Sequence, residues 1–192
     1  MTAKLDNQKV AVLVADGFEQ SEMTQPRLAL DLAGASTVLI SLKSGEVRAW
    51  SGANWGGSFP VDRVLADVNA DEFDALLLPG GVLNPDKVRM TDAAVAFVKA
   101  FGDAGKPIAA ICHGPWTLIN AGIAKGKRMT SWPSLEADLR NAGADWVDEE
   151  CVVDGNLVTS RKPDDIPAFN EAMIEAFAGV RTPVRPMVDP VG

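Results

Sequence analysis

Apolar residues along this chain fall into two alternating patterns. Short, nearly unbroken runs at Lys9–Ala15 (KVAVLVA), Thr37–Ser41 (TVLIS), Phe73–Leu78 (FDALLL) and Pro107–Ile111 (PIAAI) read as strands buried on both faces, because a strand with one wet face alternates apolar and polar positions. Between them the apolar positions recur at helical spacing. A first helix is predicted over Ser21–Leu32, with Leu28, Leu30 and Leu32 among its apolar positions. A second is predicted over Asp92–Asp103, opened by Thr91, carrying Val95, Phe97, Val98 and Phe101, and ended by Gly105. A third spans Ser134–Ala142 and stops at Gly143, and a last one runs from Pro163-Asp164-Asp165 to about Ala178, with acids in its first turn as the helix dipole favours.

Two stretches break the alternation. Gly45–Pro60 (GEVRAWSGANWGGSFP) has glycines and short alternating segments, which predicts a β-hairpin whose Trp50 and Trp55 belong either to the core or to a subunit contact. Arg128–Ser131, Asp145–Val147, Cys151–Val153 and Leu157–Ser160 read as late strands, the last two joined by an Asp154-Gly155-Asn156 turn. Strands alternating with helices define an α/β fold, here a three-layer sandwich with a mainly parallel, flavodoxin-like central sheet. Ligands of such sheets bind beyond the carboxyl ends of the strands.

Composition narrows the picture. The 192 residues fit one domain, 1–192, with a short N-terminal extension (1–8) and a proline-containing tail (180–192). No run approaches the length of a membrane span and the N-terminus has no secretory apolar region, so a cytoplasmic protein without a membrane partner is expected. A formal charge of −8 argues against nucleic acid as a partner. Two cysteines make no disulfide framework, and one histidine with no Cys/His cluster makes no metal site, so neither metal nor cofactor is expected.

The chemistry concentrates at Ala109-Ala-Ile-Cys-His-Gly-Pro-Trp-Thr-Leu-Ile-Asn-Ala-Gly122. A buried strand runs into Cys112, and Gly114-Pro115 opens a helix two residues later. Small Ala110 and Gly114 flank the thiol at two residues' distance, as a strand-to-helix nucleophile elbow requires, and a helix N-terminus favours thiolate. A buried structural cysteine is the plainer alternative. Cys151 lies in an ordinary strand pattern and reads as structural. The second chemical loop is Pro79-Gly80-Gly81, whose glycines let backbone amides approach a ligand as an oxyanion hole does. Asn84-Pro85-Asp86 follows as the cap of a short turn.

The segments ADGFEQSE (15–22), LLLPGG (76–81), AAICHGPWTLINAG (109–122), WPSLEADLRNAGADWVDEE (132–150) and VVDGNLVTSRKPDDIPAF (152–169) together resemble the PfpI family of intracellular cysteine proteases and amidases, in the class I glutamine amidotransferase-like superfamily. The likeness runs from about Lys9 to Phe177. It implies that Cys112 is the nucleophile, His113 its paired imidazole and Glu19 the carboxyl against the thiol. It further implies that Gly80, Gly81 and the His113 amide form the oxyanion hole, and that Asp86 is an acid supplied across the interface of a homo-oligomer, a dimer or larger.

Three functions share that thiol. The first is a stress-related cysteine hydrolase acting on a peptide or amide. The second is a glyoxalase or deglycase that handles small dicarbonyls or their adducts without glutathione or metal. The third is a non-catalytic redox sensor whose Cys112 oxidises.

Overall fold

The computed structural model describes residues 4–179. The expected tail and the first three residues of the extension lie outside them. Within the extension, Leu5 is fully buried and its amide donates to Ala33 O at 2.9 Å, so this part of the chain belongs to the core.

The chain opens with β1 (Lys9–Val14), the two-residue β2 (Phe18–Glu19) and α1 (Gln20–Leu32). Next come β3 (Ser36–Ser41), the hairpin β4 (Glu46–Ser51) and β5 (Asn54–Pro60), then β6 (Arg63–Val64) and β7 (Ala75–Leu78). Helices α2 (Leu83–Arg89) and α3 (Asp92–Asp103) lead to β8 (Ile108–Ile111) and α4 (Pro115–Asn120). The remainder is β9 (Arg128–Met129), α5 (Glu136–Asn141), β10 (Asp145–Trp146), β11 (Cys151–Asp154), β12 (Leu157–Ser160) and α6 (Ile166–Phe177).

Seven strands form the central sheet in the order β11-β12-β8-β7-β1-β3-β6, parallel throughout except for the antiparallel edge strand β11. The unbroken apolar runs are explained by this arrangement. Along β1, Val10, Val12 and Val14 join one core and Ala11 and Leu13 the other, because successive side chains leave a strand on opposite faces. Met23 and Leu30 of α1 pack with Phe169, Met173 and Phe177 of α6 on the first face. Phe97, Val98 and Phe101 of α3 pack with Leu118 of α4 on the second. The expected three-layer sandwich is therefore the fold.

Differences from the sequence reading are local. Leu28 and Leu32 of α1 are exposed, and the buried stripe is instead Glu22, Met23, Pro26 and Leu30. The segment expected as a strand at 128–131 contributes only Arg128–Met129, which pairs with β10 in a separate parallel pair. The hairpin forms, and β4 pairs with β2 as well as β5. Trp50 and Trp55 meet edge-to-face with ring centroids 5.5 Å apart, leaving Trp55 43% exposed. No helix among the described residues is long and apolar enough to cross a membrane.

Candidate active site

Strand β8 ends at Ile111, and Cys112 follows with a φ of +62°, a left-handed conformation that costs a residue bearing a Cβ roughly 1–2 kcal/mol. The strain is held in place on both sides. The Cys112 amide donates to Ser160 O at 3.0 Å and the Trp132 amide to Cys112 O at 2.9 Å. The sharp reversal after the thiol needs Gly114, where a Cβ would lie 2.5 Å from Leu78 O. The expected nucleophile elbow is present in these terms. The helix it leads into is only six residues long, and its N-cap Gly114 makes no side-chain cap.

The carboxyl facing the thiol is that of Glu22, which corrects the assignment to Glu19. Glu22 is fully buried on α1. Its Oε2 accepts the Gly80 amide at 3.1 Å, while Oε1 has no hydrogen-bond partner within the described residues. Glu22 and Cys112 are electrostatic and hydrogen-bonding neighbours. Burial pushes the Glu22 carboxyl up to about 8, and the charge of Glu19 adds to the shift. At neutral pH Glu22 therefore carries a proton, and the unpartnered oxygen can present it to sulfur.

The Cys112 thiol is also pushed up, first by burial and then by Glu22 when that group is charged, while the Gly81 and His113 amides oppose the shift. The sequence expectation of a dipole-activated thiolate is thus reversed at rest, because Cys112 itself is nearly buried and the helix is short. Protonation of Glu22 removes its repulsion and turns it into a donor to sulfur.

His113 Nδ1 lies 3.2 Å from Cys112 Sγ, so the adjacent pair does meet. Burial lowers the imidazole to about 4, leaving it neutral and able to accept a proton at neutral pH. Its ring stacks on Trp132 at 6.0 Å and 22°, and Nε2 faces Ser134 Oγ at 3.4 Å. Asp86 is not brought to it within this chain. That residue is exposed in the middle of α2 and takes no part in the crevice wall.

The Gly80-Gly81 turn divides its work. The Gly80 amide is committed to Glu22, which removes it from the expected oxyanion hole, whereas the Gly81 and His113 amides point at the sulfur. Gly81 has φ +77° and a Cβ there would sit 2.5 Å from Gly17 O, so only glycine fits. Asn84, expected to cap a short turn, is buried. Its Oδ1 accepts the Ala15 amide at 2.7 Å and its Nδ2 donates to Pro79 O and Gly80 O at 2.8 and 3.0 Å, tying the end of β1 to the glycine turn.

These groups line a crevice of about 550 Å³ at the carboxyl ends of β1, β7 and β8, walled by Trp50, Val82, Leu83 and Trp132, with Glu19 also on its lining. Among the described residues, no group of three His, Cys, Asp or Glu is placed to hold a metal ion.

Glu22 and Asn84 were missed by sequence reasoning. Glu22 had a usable signal: it stands four residues before Pro26 and eight before Leu30, on the buried stripe of α1, where an unpaired carboxyl needs a reason.

A doubly wound parallel sheet with a buried cysteine on a strained elbow, a protonated carboxyl behind it and a neutral imidazole beside it defines an α/β protein built around one thiol. Residues 8–176 match the DJ-1/PfpI family, and the chain belongs to that family. Among its relatives, the Bacillus subtilis protein named "Putative cysteine protease YraA" is 47% identical over 85% of this chain and 95% of its own length. General stress protein 18 of the same organism is 47% identical over 84% and 93%. Deglycase PYRAB04690 of Pyrococcus abyssi is 43% identical over 87% and 98%. The crystal structure of Drosophila melanogaster DJ-1beta superposes with a TM-score of 0.81 at 32% identity, covering 90% of this chain and 91% of that one.

Proposed function

We propose that this protein is a cysteine-dependent enzyme of small carbonyl compounds, acting as a glyoxalase or deglycase on dicarbonyls or their adducts. The observation that carries the reading is the pairing of a protonated Glu22 with a neutral Cys112 thiol at the floor of the crevice. Addition to an aldehyde suits such a pair, since the carbon is electrophilic enough for a modestly activated thiol and the product oxygen needs a proton.

In the first step the Cys112 sulfur bonds to the aldehyde carbon. The C=O π pair moves onto oxygen, held by the Gly81 and His113 amides, and His113 takes the thiol proton at Nδ1 and returns it to that oxygen. With methylglyoxal the product is a hemithioacetal. Moving its C1 proton to C2 through His113, with the C1 hydroxyl proton passing to the C2 oxygen, gives a lactoyl thioester, and water then releases lactate and the free thiol, with no external oxidant or reductant.

The hydrolase reading has less support from the site. His113 Nε2 meets a serine hydroxyl rather than a carboxylate within this chain. The names of the Bacillus and Pyrococcus relatives span both activities, and a stress-related role accords with the name General stress protein 18.

The deciding experiment offers purified protein methylglyoxal and, separately, casein, with Cys112→Ala as control. Cys112-dependent formation of lactate without casein cleavage supports the proposal. Casein cleavage without dicarbonyl turnover overturns it in favour of the peptidase, and inertness toward both overturns either enzymatic reading.

A further inference from the structure

Glu19 is not the partner of the thiol, yet its carboxyl lines the same crevice. Its hydrogen bond to Ser21 Oγ, at 3.3 Å, is long, and no Lys or Arg pairs with it among the described residues. Lys43, Lys87 and Arg161 have other partners, and the Arg48 guanidinium lies over the Trp55 ring, 5.3 Å from its centroid. Lys43 binds the Asp16 carboxylate at 2.7 Å, Lys87 donates to Asp16 O at 3.2 Å, and Arg161 is held by Asp148 and Asp165. The described crevice lining contains no Lys or Arg at all.

The Glu19 carboxyl therefore has no Lys or Arg partner in a lining that also carries two indoles, Trp50 and Trp132, a ring type that favours cations over anions. Its influence reaches the floor, since it contributes to holding Glu22 protonated. His113, neutral above about pH 4, supplies no positive charge to offset it.

We infer that Glu19 is a charge-selecting residue of the crevice, admitting neutral and cationic carbonyl compounds to Cys112 and turning away anionic ones such as aldehydic acids. This names a substrate class within the proposed carbonyl chemistry, on which it rests. The selection itself is a property of access to the thiol and can be read without turnover.

The test compares the rates at which Cys112 is alkylated by neutral iodoacetamide and anionic iodoacetate, located by peptide mass spectrometry, in the wild type, Glu19→Gln and Glu19→Lys. A like charge a few ångströms from the approach path at an effective dielectric near 20–40 alters a rate by about tenfold. The iodoacetamide-to-iodoacetate ratio is expected to fall about tenfold in Glu19→Gln, to fall further in Glu19→Lys, and to shrink with added salt in the wild type. Glu19→Gln is nearly isosteric and the side chain makes no helix-cap bond, so folding is retained. A ratio unchanged in both variants overturns the inference.

A second arm measures kcat/KM for methylglyoxal against glyoxylate, where the same substitutions should narrow the preference for the neutral aldehyde. Absence of turnover with a shifted alkylation ratio would sink the proposed activity and leave the charge selection standing. Turnover with unmoved ratios would do the reverse.

Discussion

The Gly80 amide donates to Glu22 Oε2 at 3.1 Å, joining residues 58 apart in sequence at the floor of the crevice. That one bond fixes which carboxyl oxygen faces the backbone and which is left for sulfur. It also takes the Gly80 amide out of anion binding, while the Gly81 amide stands between Glu22 and the sulfur.

Glu22 sets the alkaline limit of activity. Its carboxyl titrates near 8, so a reaction that relies on a neutral donor beside the sulfur is expected to weaken as pH rises past about 8. Glu22→Gln, which keeps a neutral donor facing sulfur but cannot ionise, should retain kcat/KM within about tenfold and lose the alkaline fall. Stability carries the same signature. A carboxyl whose folded value lies above its ordinary value of 4.5 contributes stability that is full below about 4.5 and lost as pH climbs through about 8. The Tm of the wild type should therefore decline relative to Glu22→Gln between these limits, and parallel melting curves would refute the assignment.

His113 is the only imidazole in the chain, so its titration can be followed by NMR without ambiguity. Its ring should remain neutral down to about pH 4. A buried neutral imidazole stabilises the fold above its ordinary value of 6.5 and loses that contribution as pH falls through about 4. A measured midpoint above 6 would show the ring open to water and unfit for the proton transfers assigned to it.

Cys112 should be a worse residue for stability than for chemistry. Comparing Cys112→Gly with Cys112→Ala holds the loss of sulfur constant and isolates the φ of +62°. The glycine variant should be the more stable of the two by about 1 kcal/mol in denaturant unfolding, because glycine adopts this conformation without steric cost. Equal stabilities would mean the elbow is not strained.

Asn84 holds the glycine turn to the end of β1 through three hydrogen bonds in a buried setting. Asn84→Ala leaves the Ala15 amide and the Pro79 carbonyl unpaired and Gly80 O with only the Glu19 amide, and should destabilise the protein by about 2 kcal/mol. Asn84→Asp should do no better, since a carboxylate cannot donate to Pro79 O and Gly80 O. Wild-type stability in either variant would contradict the strut.

Much of this was readable in advance, for physical reasons that also explain the misses. The runs at Lys9–Ala15 and Pro107–Ile111 are apolar on both faces because helices cover both sides of the sheet, and that pattern survives in a bare sequence. The elbow could be found because Gly114 and Pro115 are punctuation that only a sharp turn requires. The choice between Glu19 and Glu22 was harder. Glu19 ends β2 and Glu22 lies three residues on, and which one enters the core depends on the phase of α1, whose Leu28 and Leu32 are exposed and so misreport the buried face. The resting state of the thiol was misjudged because a dipole argument sees only the helix, while desolvation depends on what Trp132, Glu22 and the glycine turn place above it.

The three parts of the site come from three separate crossovers: Glu22 after β1, Gly80 and Gly81 after β7, and Cys112 after β8. They meet only when these neighbouring central strands have aligned, and parallel pairing of distant segments is among the slower events of folding. Before that alignment Cys112 is an ordinary solvated thiol on a relaxed backbone, with neither a carboxyl behind it nor amides in front. The unusual thiol is thus a late product of folding, and the bond between Gly80 and Glu22 should persist until the molecule opens as a whole, making the Gly80 amide one of the last to exchange its hydrogen with water.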